Sequence, residues 1–127
     1  MSGFHINIEQ KTLNNDYFRE VLFTAPHSQL VVMSLMPGED IGMEVHDKVD
    51  QFLRVETGVG KAIIDDEEFE LKDGSAVVVP AGSQHNLINT SETEKMKLYT
   101  VYSPANHPSG TVHKDKAEAM ADEEDHV

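Results

Sequence analysis

The order of apolar and polar residues along the chain is typical of many short strands. Residues 52–56 alternate between the two types, and residues 30–36 are nearly all apolar, as in a strand buried on both faces. Residues 60–65 and 67–71 flank adjacent aspartates, which predict a tight turn. Further predicted strands lie at residues 4–9, 17–23, 76–79, 85–89 and 96–102. This spacing predicts an all-β sandwich or barrel.

The pattern changes after residue 103. Residues 104–110 carry two prolines and a glycine, which predict a loop. Residues 114–125 are rich in Ala, Glu, Asp and Lys and can form a short surface helix with a frayed acidic end, because negative charge there opposes the helix macrodipole. We therefore predict a β-barrel domain at residues 1–112 and a solvated acidic tail at residues 113–127, whose removal leaves the barrel folded.

Composition narrows the class of partner. The 127 residues suit one domain, and 10 basic against 23 acidic residues give a net charge of −13. That charge argues against nucleic acid and anionic membranes as partners, since both require a basic surface. Without cysteine, a signal-peptide pattern or a long apolar stretch, the chain is expected to be cytoplasmic.

Two stretches carry metal-binding side chains beside turn residues. Glu44 and His46 are two positions apart, so on a strand they point to the same face. Gln51 follows them, and His85 follows the turn Pro80-Ala81-Gly82. If the strands close into a barrel, these side chains converge on one point and can bind one divalent metal ion.

The spacing of these residues resembles the paired motifs of the cupin superfamily. The first motif reads Gly38, five residues, Glu44-Val45-His46, four residues, Gln51, six residues and Gly58. The second reads Gly74, five residues, Pro80-Ala81-Gly82, two residues, His85, three residues and Asn89. The resemblance implies a small single-domain cupin barrel, a double-stranded β-helix or jelly-roll, with a metal pocket. It implies less about reaction, because the superfamily hosts isomerases, dioxygenases, decarboxylases, sugar-binding and storage proteins.

Two positions depart from the usual cupin ligands, which are His, His, Glu and His. Glu44 stands at the first histidine position and Gln51 at the glutamate position. The set keeps one negative charge and offers two nitrogens and two oxygens. We expect a decaying site to lose its carboxylate rather than regain one elsewhere, so the exchange favours a retained ion, with Mn²⁺, Fe²⁺, Zn²⁺ and Ni²⁺ all compatible.

Three functional classes follow from this ligand set. The first is a metal-dependent isomerase-type enzyme for a sugar or sugar acid, with the ion as Lewis acid. Phosphomannose isomerases are similar in binding zinc through two histidines, a glutamine and a glutamate, and small cupins that linearise unsaturated uronates use glutamine at the position of Gln51. The others are a dioxygenase and a binding module without turnover. The catalytic residues stay unassigned, and small cupins are often homodimers, which we expect here through the N-terminal strands.

The remaining candidates carry weaker signals. Tyr99 and Tyr102 face opposite ways on a regular strand, so at most one reaches the cavity. Arg54 is predicted to turn away from the metal. His107 and His113 flank residues 108–110, a stretch that could close over the cavity, and are interpreted as surface residues. Three methionines are predicted to pack in the barrel: Met33, Met36 and Met43.

Overall fold

Strands are the predominant secondary structure in a computed structural model that describes residues 2–122 and residue 125. The strands are Arg19–Thr24 (β1), Gln29–Leu35 (β2), Glu44–Val45 (β3), Asp50–Thr57 (β4), Gly60–Ile64 (β5), Glu67–Leu71 (β6), Ala76–Val79 (β7), Gln84–Asn89 (β8), Met96–Ser103 (β9) and Val112–His113 (β10). The helices are Ile8–Asn14 (α1) and Lys116–Ala121 (α2). Among the described residues, no helix is long and apolar enough to cross a membrane.

The strands form two antiparallel sheets around one apolar core. The larger sheet has the order β10-β1-β2-β9-β4-β7, and the smaller has the order β3-β8-β5-β6. Met33 and Leu98 from the larger sheet belong to the same buried cluster as Ala62 and Leu87 from the smaller one. This arrangement confirms the all-β prediction, and the predicted strand positions agree closely for β1, β2 and β4 to β9, whereas the two-residue strands β3 and β10 were not among the predicted ones.

The predicted strand at residues 4–9 is wrong, because helix α1 begins at Ile8. Asn7 is the N-cap, and its Oδ1 accepts a hydrogen bond of 3.0 Å from the backbone N–H of Gln10. Phe4 instead stacks on Phe23 of β1, with ring centroids 5.2 Å apart. The N-terminal segment therefore packs through side chains rather than through a strand ladder.

The methionine prediction is correct at one position and wrong at two. Met33 lies in β2 and is fully buried. Met36 and Met43 are each 53 % exposed. Both lie outside the strands, one after β2 and the other before β3, where the chain has left the sheet.

The C-terminal segment packs against the barrel. A helix does form there, with Asp115 as the N-cap that accepts from the N–H of Glu118 at 2.8 Å. Asp125 is only 7 % exposed, so the expectation of a solvated tail is wrong at this residue. Part of the predicted frayed end, Glu123 and Glu124, lies outside the described residues.

Two of the sequence-motif residues serve the fold itself. A Cβ at Gly58, which has φ +120°, would lie 2.8 Å from the Cα of Met96, so glycine is required at this close approach. Asn89 is fully buried and donates from Nδ2 to the backbone oxygens of Leu35, Met36 and Glu94. These residues hold the ends of neighbouring strands together.

Candidate metal centre

Strand pairing brings the predicted side chains to one end of the barrel. Glu44 of β3 lies directly opposite His85 of β8 in the antiparallel register. His46 follows β3 by one residue. Gln51 lies on β4, opposite Tyr102 of β9. Side chains that are distant in the sequence therefore approach from both sheets.

The turn of the second motif fixes the backbone of the first. The N–H of Gly82 donates to the carbonyl oxygen of His46 at 2.8 Å. The N–H of Ala81 donates to Oδ1 of Asp50, also at 2.8 Å, one residue before Gln51. The turn thus holds the chain at both ends of the segment that carries His46 and Gln51.

Three of the four predicted side chains form a tight group that could hold a metal ion. Glu44, His46 and His85 each offer one ligand atom, and these atoms all lie within 4.8 Å of one another. Oε2 of Glu44 is 3.0 Å from Nε2 of His46. Both histidines are buried, and their ring centroids are 5.2 Å apart.

The ring of His85 is held in the orientation that a metal ligand needs. Its Nδ1 lies 3.1 Å from the carbonyl oxygen of Ser83, to which it donates, so Nε2 keeps its lone pair. Burial lowers the pKa of His85, while the Ser83 carbonyl and the Glu44 carboxylate act in the opposite direction. A neutral imidazole is the form that binds metals.

Gln51 has an unpaired side-chain oxygen and lines a cavity that Glu44 and His85 also line. The residue is 3 % exposed, and its Nε2 donates to Oγ1 of Thr100 at 3.1 Å. Its Oε1 is buried and has no hydrogen-bond partner among the described residues. Glu44, Gln51 and His85 all line one small cavity. The hydroxyl of Thr100 thereby orients the amide with its oxygen free.

The unpaired atoms fit a divalent metal ion. Nε2 of His46 has no aligned hydrogen bond, although Oε2 of Glu44 is only 3.0 Å away. Two ligand atoms at right angles, each about 2.1 Å from one ion, are separated by roughly the same 3.0 Å. Leaving a buried polar atom unpaired costs about 1–3 kcal/mol, which a cation at this point would offset.

The cavity around these atoms is narrow, and a larger one adjoins it. The inner cavity has a volume of about 10 Å³, which suits one ion or one water. Apolar side chains form most of its wall: Ile41, Leu53, Ala62, Ile64, Val77, Val79 and Leu87. A second cavity of about 400 Å³, which we call the mouth, shares Ile41 and Glu44 with it. A small molecule therefore has room beside Glu44 but not deeper in the barrel.

The prediction that His107 lies on the surface is wrong, because it belongs to a buried polar chain. His107 is 5 % exposed, its Nε2 is 3.2 Å from the Tyr102 hydroxyl, and its Nδ1 is 2.7 Å from Oδ2 of Asp125. Burial lowers the pKa of His107 to about 4, although Asp125 acts in the opposite direction. Burial also raises the pKa of Tyr102. The ring of Tyr102 meets the ring of His46 edge-on, with centroids 6.0 Å apart. The buried hydrogen-bonded chain of Asp125, His107 and Tyr102 therefore ends beside the candidate metal ligands.

His113 is also buried rather than exposed, at 3 %. Its Nδ1 is 3.1 Å from Nη1 of Arg19, and its Nε2 is 2.8 Å from Oδ2 of Asp122. His113, Asp122 and Asp125 form a second group whose ligand atoms lie within 4.8 Å of one another. We call it the C-terminal group.

Two predictions about side-chain direction are confirmed. Tyr99 packs on Phe52 at 6.2 Å, on the other face of β9 from the buried Tyr102. Arg54 is partly exposed and lies 3.5 Å from Glu56, away from the cavity. Sequence reasoning missed Thr100 and Arg19, because neither residue has a fixed spacing to the motif residues.

Comparison with known proteins agrees with this fold. A family model described as "Cupin domain" matches residues 31–102. YrkC of Bacillus subtilis (strain 168) is 49 % identical over 127 residues, which covers 95 % of this chain and 68 % of YrkC. Protein L612 of Acanthamoeba polyphaga mimivirus is 46 % identical over 110 residues, covering 84 % of this chain and 69 % of L612. The crystal structure of BH2720 from Bacillus halodurans superposes with a TM-score of 0.92 at 44 % identity, covering 94 % of this chain and 95 % of that one.

Proposed function

This chain belongs to the cupin domain family, and we propose that it is a metal-dependent enzyme of the isomerase type that acts on a sugar or sugar acid. The observation that carries the proposal is the group of unpaired atoms at the end of the barrel. Oε1 of Gln51 and Nε2 of His46 are buried without hydrogen-bond partners among the described residues. His46 belongs to the group of Glu44, His46 and His85, and Gln51 lines the same inner cavity as Glu44 and His85.

In this proposal one divalent ion is held by Glu44, His46, Gln51 and His85. Two imidazole nitrogens, one carboxylate and one carboxamide oxygen suit Mn²⁺, Fe²⁺, Zn²⁺ or Ni²⁺. Such an ion supplies Lewis acidity to a carbonyl or hydroxyl oxygen of the substrate. The other roles, which are to orient the ligands and to exclude water, fall to residues of the protein.

The surrounding residues orient the ligands and exclude water. The carbonyl of Ser83 fixes the ring of His85, and the hydroxyl of Thr100 fixes the amide of Gln51. Pre-oriented ligands lose little freedom on binding, so the site is formed before the ion arrives. The apolar walls of the inner cavity leave room for about one ion or water, which directs the substrate to the mouth.

The isomerase class is preferred because of the carboxamide ligand. Phosphomannose isomerases, which the ligand set resembles, combine two histidines with one glutamine and one glutamate. The alternative is a dioxygenase, which the core of two histidines and one carboxylate also supports. A binding module without turnover would use the same ion only to anchor a ligand.

Anaerobic purification followed by elemental analysis and turnover assays tests the proposal. We expect one bound ion per chain and turnover of a sugar phosphate or a uronate, with both lost in His85→Ala. Oxygen uptake with an enolisable compound, without isomerisation, would support the dioxygenase instead. Full metal occupancy without any turnover would support the binding module. The homodimer stays a prediction that light scattering can check.

A further inference from the structure

Arg19 is a buried cation whose contacts do not include a carboxylate among the described residues. It lies on β1 and is 5 % exposed. Its Nη1 donates to Nδ1 of His113 at 3.1 Å, which is an imidazole nitrogen rather than an anion. Its Nε is buried and has no hydrogen-bond partner in the part of the chain that the structure describes. A buried guanidinium in this state is expected to favour an anionic partner.

Arg19 lines the mouth together with a residue of the metal centre. The mouth measures about 400 Å³ and also includes Glu44, Lys116 and Asp125 among its lining residues. Glu44 faces the inner cavity as well. One small molecule in the mouth can therefore approach Arg19 and the metal centre at the same time.

The charges around the mouth become favourable to an anion once the ion is present. Lys116 is paired with Asp40, and both oxygens of Asp125 lie within 2.8 Å of Nδ1 of His107. Because His107 is neutral, Asp125 keeps its negative charge, so one positive charge (Arg19) and two negative charges (Glu44 and Asp125) remain, a local sum of −1. A divalent cation on Glu44 makes the local sum positive, so metal loading is expected to promote anion binding.

We propose that Arg19 is the anion subsite of the mouth and binds the carboxylate of a small hydroxy or oxo acid whose other oxygens reach the metal centre. The planar guanidinium presents paired N–H donors that match the two oxygens of a carboxylate. This inference rests on the proposed function and narrows its substrate from a sugar or sugar acid to a hydroxy or oxo acid.

Binding titrations on the metal-loaded protein test the subsite with matched pairs of probes. The pairs are glycolate and ethylene glycol, pyruvate and hydroxyacetone, and D-glucuronate and D-glucose, which differ mainly in the carboxylate. We expect at least one acid to bind about tenfold or more tightly than its neutral counterpart. We expect Arg19→Gln to abolish that preference while the metal content stays at the wild-type level.

Matched variants separate a subsite from a structural role. Arg54→Gln removes the other arginine, which lies outside the mouth, and should keep the full preference. Arg19→Lys retains the charge without the planar fork and should give an intermediate preference, which covers the case that Arg19→Gln does not fold. Wild-type protein without an acid preference, or Arg19→Gln with an unchanged one, would overturn the inference.

Metal content distinguishes failure of this inference from failure of the proposed function. Protein that takes up metal but binds acids and neutral probes equally contradicts only the subsite. Protein that takes up no metal contradicts the proposed function, and the same titrations on it then test Arg19 by itself.

Discussion

Two groups of histidine and carboxylate side chains lie in this barrel, and their spacing is similar while their bonding differs. Glu44, His46 and His85 form one, and the C-terminal group forms the other, each with ligand atoms within 4.8 Å. In the first, within the part of the chain that the structure describes, Nε2 of His46 lacks an aligned partner, and Oε1 of Gln51, which lines the same inner cavity as Glu44 and His85, is unpaired.

In the C-terminal group the same kinds of atoms are already bonded. Both ring nitrogens of His113 have partners, in Arg19 and Asp122. Asp125 accepts from His107. The guanidinium of Arg19 also opposes a second cation there. A metal site is therefore indicated by unpaired ligand atoms rather than by the proximity of ligand residues alone. The C-terminal group instead holds the tail against the barrel.

The largest effect should come from removing the tail that this group fastens. A chain that ends at Lys114 loses Asp122 and Asp125 and leaves two buried histidines without their carboxylates. Each buried histidine that loses its hydrogen-bond partner costs about 1–3 kcal/mol of stability. We expect the melting temperature to fall by about 10 °C or more. This reverses the expectation from sequence that the tail is dispensable.

Calorimetry of the shortened chain measures this effect. Glu118→Gln, a change at an exposed position of α2, is the control and should melt within a degree or two of the wild type. If the shortened chain melts within a few degrees of the full one, the C-terminal group does not stabilise the barrel.

The pH dependence of stability should reflect His107, which is hydrogen-bonded to Asp125 of the C-terminal group. The folded pKa of His107 is about 4, below the ordinary value of 6.5, so the unfolded chain binds more protons between these values. Stability due to neutral His107 is complete above pH 6.5 and decreases as the pH falls towards 4, by on the order of 3 kcal/mol. Melting curves between pH 7.5 and 4.5 measure it.

Substitution of His107 should reduce this pH dependence. In His107→Gln the side chain no longer titrates, so the melting temperature should change less over the same range. His27→Gln, at an exposed histidine, should retain the wild-type dependence. Equal curves for His107→Gln and the wild type would show that another group is responsible.

A smaller effect should distinguish two carboxamides that line the same inner cavity. Gln51 has an unpaired Oε1, whereas Asn86 accepts from the N–H of Gly42 and donates to Asp40. We expect Gln51→Ala to weaken metal binding by about tenfold and Asn86→Ala to leave it nearly unchanged. Metal titration by calorimetry measures both.

Gln51→Glu, compared with Gln51→Ala, tests whether the side chain at this position is a metal ligand. A carboxylate is a stronger ligand than a carboxamide, and the Thr100 hydroxyl can donate to it as readily as it accepts from Gln51. Metal binding should therefore be kept or tightened, with altered activity because the added charge lowers Lewis acidity. Weaker binding in Gln51→Glu than in Gln51→Ala would mean that Gln51 is not a ligand.

The same contrast explains how much could be predicted from sequence. Strand positions follow from local alternation, and the spacing of Glu44, His46, Gln51 and His85 is fixed by a regular sheet, so the structure brings them together. Asp125 of the C-terminal group contacts His107 across a loop of no set length, and no periodic pattern in the sequence predicts that contact. Helix α1 has two turns and only one local signal, the Asn7 cap with Gln10, which the alternating pattern concealed.

Metal stoichiometry in paired histidine variants tests the central claim most directly. Anaerobically purified wild-type protein and the variants His46→Ala, His85→Ala and His113→Ala are compared by elemental analysis. We predict one ion per chain in the wild type and in His113→Ala, and a loss of most of the metal in His46→Ala and His85→Ala. Full occupancy in both of these last variants, or loss of metal in His113→Ala alone, would contradict it.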